Sequence, residues 1–437
     1  MSRTTRSTRL LALVAGASLV LTACGGDATE DGGDGAEGTA GGQGGGDALT
    51  VWIMEGTNPD ATPFFEEVST AFEEQTGATL DVQFVPWASA HDQFTNAIAG
   101  GTGPDVAEVG TTWTPEFGDA GALMDLSDQI GEAGLAEQYL PSLMEAGTLD
   151  ESVYGAPWYA GVRSLVYNTE MLEAAGVEAP TTWDELVEVG TALKEADPDV
   201  IPFPVPASVH TTTPFIWGAG GEVAVQEGDT WTSGLDSAES REGLDYLVSL
   251  VDEHGLSTPA ASTWNEADTR DAFAQEDAAM IISGSWTPKS IIEANADLEG
   301  KLGVVPIPGQ DGGMAPSFAG GSHLSVFETT DQPDLAWQFV EMMTSGEFAQ
   351  KWGEQTGFFP GTNDLLSELE EADDPLVAPF ATQMKDASKT LPVTPMWGQV
   401  EGAQVLPAMM GTLLSGDATV EEATQTAADE MNEIFGS

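Results

Sequence analysis

The run Tyr154-Gly-Ala-Pro-Trp-Tyr-Ala-Gly-Val-Arg-Ser-Leu-Val-Tyr-Asn168 decides how the rest of the chain is read. It opens with turn chemistry at Gly155 and Pro157 and passes through the aromatic pair Trp158 and Tyr159. It relaxes at Gly161, then alternates through Leu165, Val166 and Tyr167. A strand interrupted by glycine and proline beside aromatics is a backbone that bends next to a ligand. A core strand carrying a bulge fits the same residues. The run stands between two α/β series, where the chain passes from one lobe into another.

On its N-terminal side, Leu49 to Met54 reads as a buried strand, followed by the polar turn Glu55 to Asp60. A helix from Pro63 to Gln75 ends at Gly77, and Leu80 to Val85 alternates as a second strand. After Pro86-Trp87 come a helix from Ala88 to Ala99, a glycine-rich turn, and a third strand from Val106 to Val109. Strand, helix, strand, helix, strand is a parallel unit with helical crossovers.

On the other side, Thr182-Trp-Asp-Glu185 reads as a capping box for a helix with Leu186, Val189 and Leu193 on one face. Ile201 to Val205 carries too many prolines for anything but an edge or irregular strand. Ser237 to Glu253 is helical. Ala278 to Ile282 is a short strand that stops at Ser283-Gly-Ser-Trp286, and Gly303 to Pro306 is another. Phe318 to Val326 returns as a glycine-broken strand. From Asp331 the chain is nearly all helix, the last one capped by Thr419-Val-Glu-Glu422. No internal repeat is visible.

Composition narrows the function. The formal charge is −60, from 72 acidic and 12 basic residues, and three of those basic residues are Arg3, Arg6 and Arg9. So acidic a chain argues against a nucleic-acid partner and is read as a solvated acidic surface. The arginines precede an apolar run from Leu10 to Leu21 and the small residues before Cys24, the pattern of a secretion signal. Cys24 is the one cysteine, so a disulfide or thiolate cluster within the chain is excluded. Leu21-Thr-Ala-Cys24 resembles a bacterial lipobox, which makes Cys24 the expected lipidated N-terminus. A plain signal peptide with an incidental cysteine is the other reading. Gly25 to Asp47 follows as a glycine-rich acidic tether with nothing to bury.

Enzyme signatures are missing: there is no P-loop, no zinc-protease motif and no nucleophile elbow, and the four histidines are scattered. No cofactor or metal is expected. Asp27 to Gly38 begins like a calcium loop but lacks the closing glutamate. The 12 tryptophans discriminate better. Trp183, Trp337 and Trp352 fall on amphipathic helices and read as core. Trp113, Trp158, Trp217, Trp264, Trp286 and Trp397 fall in turns or just beyond short strands, next to glycine, proline or polar residues. In α/β sheets such strand ends are where ligands bind. An indole there suits a ligand with one apolar face and a hydroxylated rim, as in a pyranose. Packing explains any one of them equally well.

The chain resembles the extracellular solute-binding proteins of ABC sugar importers, the maltose-binding-protein-like group, from Leu49 to Phe435. The likeness rests on Thr50-Val-Trp-Ile53, Gly101-Thr-Gly-Pro-Asp-Val106, Pro157-Trp-Tyr159, Val166-Tyr-Asn-Thr169 and Thr182-Trp-Asp-Glu-Leu186. It continues through Ala279-Met-Ile-Ile-Ser-Gly-Ser-Trp286, Ala336-Trp-Gln-Phe-Val340, Phe348-Ala-Gln-Lys-Trp352 and Thr356-Gly-Phe-Phe-Pro360, all in the family's order.

The resemblance implies two α/β lobes joined by a three-crossing hinge, with a ligand cleft between them. Lobe 1 would comprise 48–158 and 326–373, lobe 2 would comprise 163–317 and 377–437, and the hinge would lie near 159–162, 318–325 and 374–376. By position, ligand contacts map onto Glu55 and Asn58, onto Glu108, Thr112 and Trp113, and onto Tyr159 and Arg163. In the second lobe they map onto Trp217, Trp264, Trp286 and Trp397, with Gly320, Gly321 and Ser322 at the second crossing. Many relatives carry an acid two positions after the Tyr159 equivalent, where this chain has Gly161. The implied protein is a lipid-anchored, non-enzymatic and monomeric receptor on the outer face of the cell membrane. It would capture a di- or oligosaccharide and hand it to a permease. A quaternary ammonium solute in an aromatic cage, a surface glycosidase and an adhesive lipoprotein are the alternatives.

Overall fold

One strand, β4 (Ala156–Asn168), runs through both lobes, and Tyr167 is its only residue not fully buried. Its N-terminal half pairs antiparallel with β7 (Ser317–Val326). Its C-terminal half pairs antiparallel with β5 (Met280–Gly284) and β6 (Leu302–Val305). The structure, a computed structural model, describes residues 48–56, 58–228, 230–364 and 374–436. Cys24, the signal and the tether lie outside the described residues.

In lobe 1, β1 (Ala48–Glu55), β2 (Thr79–Pro86) and β3 (Val106–Gly110) are parallel, with β1 in the middle. Helices α1 (Thr62–Thr76) and α2 (Trp87–Gly100) make the crossovers. Phe64, Phe65, Val68 and Phe72 line the inner face of α1. It stops at Gly77, whose φ of 78° is open to glycine at little cost. β7 adds antiparallel to β3, so the sheet runs β6-β4-β7-β3-β1-β2 along its main path.

The opening run is a core strand with a bulge, and it also borders a cleft. Ser322 pairs with Tyr159, and the next residue, His323, pairs with Pro157, so Trp158 is the extra residue of a β-bulge. Trp158 is a core residue, stacked on Trp352 with ring centroids 4.8 Å apart. Tyr159 beside it faces the cleft described below.

Each lobe has a main core of its own, and a third cluster joins Leu143 and Phe359 of lobe 1 to Ile281 and Ile291 of lobe 2. Leu49, Val51, Phe72, Phe339 and Trp352 belong to that of lobe 1, and Leu186, Phe215, Leu247, Met410 and Met431 to that of lobe 2. The first two crossings are β4 and β7, whose opposite end pairs with Ser388–Lys389. Residues 365–373, which lead into the third expected crossing at 374–376, lie outside the described residues. The final helix, Val420–Phe435, has the full capping box of Thr419 and Glu422. At Thr182 only half of the expected box forms. The Thr182 hydroxyl accepts from Glu185 N at 3.1 Å, but the Glu185 carboxylate returns one residue earlier, to Thr181 N at 2.7 Å. The extra hydroxyl of Thr181, which donates to Glu185 at 2.6 Å, outcompetes the cap backbone.

Candidate functional site

The C-terminal ends of β1 and β3, the middle of β4 and β7, and the end of β5 converge on a cavity of about 760 Å³ between the lobes. Trp113, Trp286 and Trp397 line this one void, as do Glu55, Thr112, Tyr159 and Arg163. Gly320, Gly321 and Ser322 form its floor on β7. Ten of the fourteen expected contact residues are thus brought together.

Four are not among its lining. Asn58 turns back so that Nδ2 donates to the neighbouring Pro59 carbonyl at 3.2 Å. Trp217 sits inside the helix Val209–Gly218, whose residues 211–217 are all buried. With three buried threonines in a row and Pro214 within it, that segment carries no amphipathic helical period to read, and Trp217 packs into the core of lobe 2. Trp264 ends a 3₁₀ turn and leans half-buried on a core cluster with Phe273 and Ile291. Glu108 lies beneath the floor, with all its partners inside the protein.

Trp286 lies two residues past the end of β5, and glycines on two strands make room for it. A Cβ at Gly161 would come within 2.6 Å of its ring, and one at Gly284 would run into the same ring. The departure from the resemblance at position 161 therefore has a cause: the indole of Trp286 fills the space a side chain there would need. On this wall Arg163 stands 5.1 Å from the Trp286 ring and 5.7 Å from Phe318. It is held by a two-pronged ion pair to Glu266 at 2.9 and 3.0 Å. Burial alone would push the Glu266 carboxyl up, but the Arg163 guanidinium outweighs it and the carboxyl lies below its ordinary range. Burial and then Arg163 push His210, stacked on Phe318, down to about 3, so its imidazole is neutral.

On the opposite wall a residue the sequence reading missed closes the cleft. Glu401, on the helix Pro395–Gly402 of lobe 2, accepts from Thr112 Oγ1 at 2.8 Å and Trp113 Nε1 at 2.6 Å in lobe 1. Burial raises its pKa, and the Thr112 and Trp113 hydrogen bonds only partly oppose that. The buried Trp397 Nε1 also pulls on this carboxylate, without reaching hydrogen-bonding geometry. Behind it, His91 meets Glu116 at 2.8 Å. Burial pulls His91 down, but the hydrogen bond and charge of Glu116, with Glu401 and Asp92, leave its pKa raised. Arg270 Nη1 makes a second bridge between lobes, to the Gly56 carbonyl at 3.1 Å.

Trp87, His210, Phe318 and Phe358 also line the cavity. Trp87 had a signal: it follows β2 as Trp113 follows β3, and their rings are 5.5 Å apart. Glu401 had none, being 289 residues from Thr112 in the sequence. A second hollow of about 700 Å³ shares Thr111, Thr112, Phe318 and Gly320 with the cleft and continues toward Lys385 and Lys389. Among the described residues no His, Cys, Asp or Glu cluster is arranged to hold a metal, and no helix is long and apolar enough to cross a membrane.

A family profile for bacterial extracellular solute-binding proteins matches residues 56–349. The chain is 29% identical over 428 residues to the diacetylchitobiose binding protein of Streptomyces coelicolor, covering 95% of this chain and 96% of that protein. It is 25% identical to the maltotriose-binding protein of Pyrococcus abyssi, over 81% of this chain and 76% of that one. Among solved structures it is similar to an ABC transporter solute binding protein from Thermotoga lettingae, bound with α-D-tagatose. The TM-score is 0.81 and the identity 27%, over 89% of this chain and 100% of that one. The fold also matches the acarbose-binding GacH receptor of Streptomyces glaucescens with a TM-score of 0.80 at 24% identity, over 90% of this chain and 99% of that one.

Proposed function

The chain belongs to the bacterial extracellular solute-binding proteins, and on that premise we propose that it captures a di- or oligosaccharide for the permease of an ABC importer. One observation carries the reading: Trp113, Trp286 and Trp397, from three separate parts of the chain, line a single void with hydroxyls and carboxylates between them. Indole faces take the apolar side of a pyranose, and the polar groups take its rim. The names of the relatives, with diacetylchitobiose and maltotriose among their ligands, support the same class.

Each lobe supplies part of the lining, so burying the sugar favours the closed arrangement and hinge motion follows from differential contact. The ten lining residues, with Trp87 and Glu401, are the proposed contacts. The receptor works as a monomer and is tethered outside the cell by lipid on Cys24. It binds its ligand without chemistry. The full chain carrying Cys24→Ser should appear in the medium instead of the membrane fraction.

Titrating that protein with maltotriose, diacetylchitobiose and arabino-oligosaccharides should change its tryptophan emission and give saturable heat. A flat response across the panel, with another solute binding, overturns the sugar class. Release of new reducing ends would make it a hydrolase.

A further inference from the structure

Glu108 is on β3, one layer under the cleft floor, and is 1% exposed. Its Oε1 accepts two hydroxyl protons, from Tyr159 on β4 and from Ser322 on β7, the latter at 2.7 Å. Its Oε2 accepts Met54 N, at the end of β1, at 2.8 Å. The carboxylate therefore ties the first two crossing strands to the parallel unit. It also decides what the two hydroxyls can offer. Each has one proton and two lone pairs, and a proton given to Glu108 is not available above.

We propose that Glu108 fixes the polarity of the cleft floor: Tyr159 and Ser322 meet the ligand as acceptors, so the group over them is a donor, a hydroxyl or an ammonium, and not an ether or a carboxylate. This rests on the sugar reading and sharpens it. The facing wall has the same design, because Glu401 takes the Thr112 hydroxyl proton. Arg163, the guanidinium that lines the cleft among the described residues, already has its counter-charge in Glu266. A uronate would meet lone pairs on the floor and an engaged arginine on the wall. Glu108 is thus a positioning residue, acting through Tyr159 and Ser322.

The proton balance gives a signature. Burial pushes Glu108 up to about 7, against the pull of its three hydrogen bonds. Tyr159 is its one ionisable partner and stays protonated, with its own pKa raised by burial and by Glu108. Met54 meets it only through backbone. A protonated Glu108 donates its new proton to one of the two hydroxyl oxygens. That hydroxyl then turns its own proton toward the cleft, so the floor presents a donor where it had offered only lone pairs.

The test is calorimetry on the full-length Cys24→Ser protein with maltotriose and diacetylchitobiose, each also as mono-deoxyfluoro derivatives at every hydroxyl. Fluorine keeps the size and removes the donor. At one position the derivative should bind about tenfold weaker or worse. Affinity for the parent sugar should rise severalfold from about pH 5.5 to about pH 8.5, as the linkage requires. Both readouts need no change in Glu108. Glu108→Gln should abolish the rise of affinity with pH and shrink the fluorine penalty at that position. Sugar binding that ignores fluorination, or a rise of affinity with pH that survives Glu108→Gln, overturns this inference alone. Absence of binding in both series overturns the sugar reading and this inference with it.

Discussion

Glu108, buried, and Glu401, half-buried on the cleft wall, are carboxylates that accept hydroxyl protons beside the cleft, and they differ in where their donors are anchored. The partners of Glu108 sit on β1, β4 and β7, strands of one continuous sheet. Those of Glu401 sit across the cleft, in the other lobe. The first set persists while the sheet is folded. The second exists only while the lobes are together. Similar chemistry therefore supports folding in one place and closure in the other, and the two are separable by experiment.

The largest expected effect is on Glu108→Ala. It leaves the Tyr159 and Ser322 hydroxyls and the Met54 amide without their acceptor in a closed site. Each such orphan costs about 1–3 kcal/mol, so urea unfolding should show a loss of about 3 kcal/mol or more. A loss under about 1 kcal/mol would mean that water or a rearranged floor replaces the carboxylate.

The second prediction concerns pH. Glu108 has its pKa raised in the folded protein, to about 7. A raised acid favours folding most below its unfolded value, and that contribution is lost as pH rises through about 7. Between about pH 4.5 and about pH 7, Glu108→Gln should therefore remove a decline in unfolding free energy of order 1–3 kcal/mol that the parent shows. Parallel pH profiles for parent and variant would contradict this. Glu401 is also raised. Because its burial depends on closure, its titration should appear in lobe closure, which weakens as it ionises, and Glu401→Gln should leave the unfolding profile unchanged.

Glu401→Ala gives the smallest change in stability, within about 1 kcal/mol, because Thr112 and Trp113 reach water when the lobes part. Its mark should be conformational: a larger radius of gyration by small-angle scattering without ligand, and sugar affinity about tenfold lower. Unchanged scattering and affinity would show that Glu401 does not hold the lobes.

Legibility followed the same division. The parallel unit of lobe 1 was readable because apolar alternation, helix-stopping Gly77 and the turn before Val106 are local signals. Trp286 and Trp113 were found because each lies within three residues of the end of a short strand. Trp158 and Trp217 were misplaced by the same rule, since a bulge in a buried strand and a buried helix with Pro214 both look like turn-flanked aromatics. Trp87 was within reach of the rule and overlooked.

What the sequence by itself determined is the order of strands and helices and the supply of indoles, hydroxyls and carboxylates, because periodicity and turn chemistry act over a few residues. Only the tertiary structure decided which indoles share a void, that Trp286 lies in the space left by Gly161, and which of 72 acidic residues takes a given hydroxyl proton. Those choices depend on side chains from strands and lobes up to 289 residues apart being brought within 3 Å, and no local pattern encodes that distance.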